Sequence, residues 1–185
     1  MDEYDAIHQL KQKDPMGLKW LVDQYYPRAL QVAFLITGDL PMAEDVVQEE
    51  FLALYRSISR FDEKRPFLPW FTRCVVNLAV QTAQKSKKQV SLNSREASNP
   101  FDAIALDELS PEETVVSSEF KERVQIALNR LSPRQRAVVV QRYFLEMSEK
   151  EMADEMRIAP GTVKWLLNAA RKKLRMLLNH ERSDV

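Results

Sequence analysis

Glycine, cysteine and histidine are scarce in this chain, and each shortage closes off a class of protein. Three glycines in 185 residues leave no Gly-rich loop to cradle a phosphate and few turn residues for a sheet of short strands. Cys74 is the only cysteine, which excludes an intrachain disulfide and a thiolate zinc cluster. The two histidines, His8 and His180, stand at opposite ends of the chain. Metal binding and histidine-based catalysis therefore have little material, and each histidine reads as a solvated surface residue. The longest apolar runs, such as residues 29–37, fall far below the roughly 20 residues that a membrane helix needs. The acidic opening MDEYD is unlike a signal peptide. No grouping of nucleophile, base and orienting residue is visible. These absences argue against an enzyme, a cofactor or a small-molecule substrate, and the cytosol is the expected compartment.

What the chain does have is helical periodicity and 45% hydrophobic residues, enough for packed cores. No segment sustains strand alternation, so the expected fold is all-α. The pattern predicts helices near 4–13, 15–37, 41–59 and 66–86, with Pro15, Pro41 and Pro66 where first-turn prolines are tolerated. Residues 87–111 lose the period and are rich in Ser, Asn, Asp and Glu, which reads as a linker. Helices near 112–130 and 133–144 come next. The expected organisation is a module over 1–86, a linker over 87–111 and a second module over 112–185.

The charges, 27 basic and 27 acidic, cancel overall but are unevenly spread. Residues 1–84 carry 9 basic and 12 acidic side chains, whereas 119–185 carry 14 and 9. A protein that coats nucleic acid indiscriminately would be basic throughout, so one module is expected to face DNA and the other something else.

Residues 148–178 read as a helix, a tight turn and a cationic helix. Ser148 and Glu151 can form a capping box ahead of Met152, Ala153 and Met156. Pro160-Gly161 breaks the chain, and Thr162 is a good N-cap for the second helix. Val163, Leu166, Leu167, Ala170, Leu174, Leu177 and Leu178 then gather on one side, and Lys164, Asn168, Arg171 and Arg175 on the other. Cations and an amide on a helix are suited to phosphates and base edges in a major groove. Taken alone the stripe also fits a solvated surface helix; the capped helix and turn before it favour a helix-turn-helix.

With these residues in view, the chain resembles the group IV, or extracytoplasmic function, sigma factors of bacterial RNA polymerase. AEDVVQEEFLALYRSISRFDEKRPFLPWFTRCVVNLAV in the first module resembles the family's second region, and LSPRQRAVVVQRYFLEMSEKEMADEMRIAPGTVK in the second resembles its fourth. The resemblance implies two small helical domains joined by a flexible linker, with core RNA polymerase, promoter DNA and an anti-sigma factor as partners. It also implies sites. Val47, Phe51, Leu54 and Ile58 share one face of their helix, which turns Asp45, Gln48, Glu49 and Leu52 elsewhere. With Glu44, these would dock on the polymerase's largest subunit. Glu44 and Asp45 equally suit a solvated helix start.

Trp70, Arg73, Asn77, Gln81 and Gln84 line one side of the fourth helix, opposite Phe71, Val75 and Leu78. Such a face can stack and hydrogen-bond a single strand. By resemblance, the loop at 61–67 captures a base flipped from the -10 element, giving Phe61, Lys64, Arg65, Trp70, Arg73 and Asn77 as contacts. For Trp70, packing and DNA contact both stay open. The -35 contacts implied are Thr162, Lys164, Trp165, Asn168, Arg171 and Lys172.

The chain departs from the family at Gln81 and Gln84, where many members have Asp and Arg. It departs also at Trp165, Leu166 and Ala169, where they have small or polar residues and arginines. Fewer phosphate contacts should flatten the salt dependence of DNA binding. Trp165 suits either a thymine methyl or a protein partner. The acidic linker, with Asp102, Asp107, Glu108, Glu112 and Glu113, reads as a tether or as a stand-in for a nucleic-acid backbone in a basic channel. Two rival functions fit the same modules: a regulator that binds an operator without polymerase, and a polymerase adaptor that has lost promoter reading.

Overall fold

Acidic and hydroxyl caps start most of the helices. In the computed structural model, which describes residues 1–89 and 123–180, the Asp2 carboxylate accepts from the N–H of Asp5 at the head of α1 (Glu3–Lys11). Asp14 accepts from Met16 ahead of α2 (Pro15–Thr37), and Asp39 from Met42 ahead of α3 (Leu40–Ser57). Pro15 and Pro41 lie in first turns, where a missing N–H costs nothing. A 3-10 turn (Ile58–Arg60) ends the third helix early, and α4 (Phe67–Gln89) starts one residue after Pro66. Residues 123–129 are the described part of α5. Next, α6 (Pro133–Val139) runs into a π-helical turn (Val140–Phe144), before α7 (Glu149–Met156) and α8 (Pro160–His180). Ser132 with Gln135 and Ser148 with Glu151 form capping boxes at α6 and α7.

Among the described residues every regular element is helical, as the periodicity required. None of these helices is long and apolar enough to cross a membrane. Most of the expected linker and of the helix near 112–130 lies outside the described residues; 87–89 continue α4.

The apolar run at 29–37 is the hub. Every residue in it except Gln31 is buried, because α1, α3, α4 and α6 all pack on α2. Gly17 lets α1 lie close: a Cβ there would come 2.2 Å from the carbonyl oxygen of Ala6 and 2.7 Å from the nitrogen of Leu10. An aromatic cluster fills the space between α3 and α4, with Phe51 and Phe71 centroids 4.6 Å apart and Phe67 and Phe71 5.5 Å apart.

The modules do not stand apart. Leu128, Leu131, Ala137 and Val140 of the second half belong to the same buried cluster as Leu35, Ile36 and Val76 of the first. A smaller core of Val138, Met152, Ala153, Val163, Leu166 and Leu167 holds the helix-turn-helix together. Gly38 ends α2 in the left-handed region at φ 74°. A Cβ on it would meet the side-chain ends Asn129 Oδ1 at 2.3 Å and Arg136 Nη1 at 2.5 Å, so its conformation requires glycine and any larger residue would also displace these two groups of the second module. Arg136 is buried there and donates to Asn129 Oδ1 at 3.2 Å. Burial lowers its pKa to about 10.

Candidate nucleic-acid and protein interfaces

The turn between α7 and α8 comes earlier than the Pro-Gly pair suggested. Arg157 closes α7 in the left-handed region at φ 53°, and the N–H of Ile158 bonds back to Ala153 O at 3.1 Å. Pro160 and Gly161 are then the first turn of α8, because the fixed φ of proline suits a first helical position. Thr162 is therefore not the N-cap. It sits inside the first turn, where its N–H and that of Val163 return to Ala159 O at 2.8 and 3.3 Å. With no N–H on Pro160, the donor left at this helix end is that of Gly161. A Cβ on Gly161 would meet nothing within 4 Å. Packing does not require glycine here, whereas a bare N-terminus is open to a phosphate.

Along α8, Val163, Leu166, Leu167 and Ala170 are buried, while Thr162, Lys164, Trp165, Asn168, Arg171 and Lys172 are exposed. Trp165 is 66% exposed, an unusual position for so large an apolar group. The sequence pattern gave no sign of Tyr143. Its hydroxyl accepts from Arg171 Nε at 2.8 Å, and the guanidinium lies 5.8 Å from its ring centroid. The π-helical turn swings Tyr143 towards α8, and periodicity at 3.6 residues per turn cannot anticipate that.

The second surface is α4 with the loop before it. Lys64 and Arg65 are exposed, and Asp62 holds both, accepting from the Lys64 N–H at 3.1 Å and facing Arg65 Nε at 3.7 Å. Phe61, unlike its neighbours in the loop, turns inward. Only 5% exposed, it packs against Trp70 and Phe67 with centroids 4.8 and 5.7 Å away. Lys11 pins this loop to α1: its Nζ donates to the Phe61 carbonyl at 2.9 Å and pairs with Glu63 at 2.6 Å. Trp70 is half-buried, with one side on Phe61 and Phe67. Arg73, Asn77 and Gln84 are also half-buried, and only Gln81 of the expected polar face is exposed. The second module lies against this helix through α6.

The third surface is the outer side of α3. Val47, Phe51, Leu54 and Ile58 are buried; Asp45, Gln48, Glu49 and Leu52 are exposed, and Glu44 is half-buried. Leu52 is 56% exposed beside these acidic and amide groups. Glu50, which the helical pattern did not single out, lies half-buried at the edge of this face. Burial, then the charge of Glu49, raises its pKa from 4.5 to about 7.

Known proteins share both modules. Residues 21–89 match the family Sigma-70 region 2, and residues 121–174 match Sigma-70, region 4. The chain is 31% identical over 176 residues to the ECF RNA polymerase sigma factor SigW of Bacillus subtilis (strain 168), covering 93% of this chain and 94% of SigW. Two solved structures share the fold. CnrH, in complex with the cytosolic domain of CnrY, aligns with a TM-score of 0.63 at 22% identity over 97% of this chain and 99% of CnrH. The sigma factor RpoE in complex with the anti-sigma factor NepR from Bartonella quintana aligns with a TM-score of 0.65 at 20% identity, over 87% of this chain and 96% of the other.

Proposed function

Because the chain belongs to the extracytoplasmic function sigma factors of the sigma-70 family, non-catalytic subunits that direct RNA polymerase to specific promoters, we propose that it divides this work among three surfaces. The outer face of α3, with Glu44, Asp45, Gln48, Glu49 and Leu52, docks on core polymerase. The α4 face, with Trp70, Arg73 and Asn77 and the cations Lys64 and Arg65 before it, holds the melted -10 strand. Phe61 supports that loop from inside. The exposed face of α8 reads the -35 duplex: Lys164, Asn168 and Arg171 address base edges, and Thr162 and Lys172 address phosphates. The boundaries that go with this division are 1–86, 87–111 and 112–185, and the compartment is the cytosol.

One observation carries the reading. In α3 and α8 alike, buried apolar positions alternate at helical spacing with exposed polar ones, so the two faces are presented by cores that their substitution leaves intact. An anti-sigma factor is the further partner. An apolar groove of about 380 Å3, lined by Leu35, Val124, Leu128, Phe144, Leu174 and Leu178, has the chemistry to take the apolar face of an amphipathic helix of such a protein.

The test is competition for purified core enzyme. Asp45→Arg with Gln48→Ala is expected to weaken core binding by about tenfold or more with an unchanged thermal midpoint, since both side chains are exposed. Full affinity in that variant would refute the docking face.

A further inference from the structure

The α4 face looks across a cleft at its electrostatic complement. This cleft, about 570 Å3, lies between the modules, with Arg65, Trp70 and Arg73 on one wall and Glu151, Asp154 and Glu155 of α7 on the other. Glu155 is held from behind by Gln141, whose Nε2 donates to it at 3.2 Å. Burial raises the pKa of that carboxyl group, and Arg73 pulls it back down, which places the guanidinium within electrostatic reach. Among the described residues no ion pair bridges the cleft. The walls face one another without locking. The modules are joined instead by the shared apolar cluster that includes Leu35 and Val140 and by Arg28 lying over Phe144, 5.0 Å from its centroid.

Carboxylates opposite cations and an aromatic ring stand where phosphates and bases of a bound strand would stand. We propose that α7 is an internal substitute for the -10 strand: the closed chain cannot hold melted DNA, and the modules must part before it can. This rests on α4 as the strand-binding face. The same helix has a second commitment. As the first helix of a helix-turn-helix, α7 crosses the duplex backbone when α8 enters the major groove, so promoter reading by α8 and occlusion of α4 compete for one element. Release of α4 is thereby coupled to engagement of the second module by polymerase and duplex. The chain remains silent towards single strands while free.

The experiment uses the full chain and a fluorescent single-stranded 12-mer of mixed sequence. Asp154→Asn with Glu155→Gln removes two charges from the cleft wall while keeping the donor contact of Gln141. Affinity is expected to rise roughly five- to tenfold at low salt. A pair with the same charge change on α1 and α2 away from the cleft, Asp5→Asn with Asp23→Asn, both exposed, should leave affinity within about twofold of the parent. Dye labels on Gln24→Cys and Lys150→Cys, in a Cys74→Ser background, should move apart when the oligonucleotide binds. No gain in the cleft variant, a gain matched by the control pair, or a label distance that DNA does not change overturns the proposal. Adding Arg73→Gln to the cleft variant separates the two claims. If the gain vanishes, strand binding on α4 and its occlusion both stand. If the gain survives, the strand lies elsewhere, and the α4 reading falls together with the proposal. If there was no gain while Arg73→Gln still impairs promoter opening by the holoenzyme, occlusion alone falls.

Discussion

Replacing Gly161 with alanine should make the protein slightly more stable and distinctly less active, a pairing that few substitutions produce. A Cβ at this position meets nothing within 4 Å, and φ there is not positive. The added methyl therefore costs no packing, and it gains helix propensity of about 0.4 to 1 kcal/mol, less at a first turn than in a helix interior. The direction of that methyl matters. Cβ atoms tilt towards the helix N-terminus, where the N–H of Gly161 is the donor left after Thr162 and Val163 bond to Ala159. A phosphate held off from that donor loses one charge-assisted hydrogen bond, about 1.5 kcal/mol or more, equivalent to about tenfold in affinity. Urea denaturation gives the first quantity. Run-off transcription, on a promoter selected from random fragments by the purified holoenzyme, gives the second. A loss of stability would mean that Gly161 is required by the fold. Unimpaired transcription would mean that no phosphate approaches this helix end.

Three further outcomes rest on the same geometry. Lys164→Ala and Arg171→Ala should each lower -35-dependent transcription by roughly 1 to 3 kcal/mol of discrimination with core binding retained; equal loss of both activities counts against the assignment of α8. Gly17→Ala forces a Cβ against backbone atoms of α1 at 2.2 and 2.7 Å and should destabilise the first module by about 1 to 3 kcal/mol, read as a shifted denaturation midpoint. The Glu50 carboxyl is raised from 4.5 to about 7, so the folded chain keeps its proton over a range where the unfolded chain has lost it. Stability should fall as pH rises through that window, by about 1 to 2 kcal/mol after discounting for solvent screening of a half-exposed group. Glu50→Gln should flatten this slope, and an unchanged pH profile would refute the assignment.

Much of the chain was legible because its signals are local. Capping boxes at Ser132 and Ser148, aspartates ahead of three helices and prolines in first turns all act within four residues, and the faces of α3 and α8 arise from a 3.6-residue period. Other positions were decided by packing and backbone geometry that a helical period does not carry. Phe61 reads as a loop aromatic, but Phe67 and Trp70 enclose it. Thr162 has the chemistry of an N-cap, yet the preset φ of Pro160 starts the helix two residues sooner. Tyr143 has no sequence signal at all, since its reach to Arg171 depends on a π-helical turn.

The amino-acid sequence by itself determined the helices, the two modules and the polar faces proposed to serve DNA and polymerase, because hydrophobic period and caps are short-range. Tertiary structure decided how those faces stand to one another. That α7 confronts α4 across a cleft, and that Asn129 and Arg136 close over Gly38 at the end of α2, depends on contacts between residues some 80 to 100 positions apart, which no local pattern encodes.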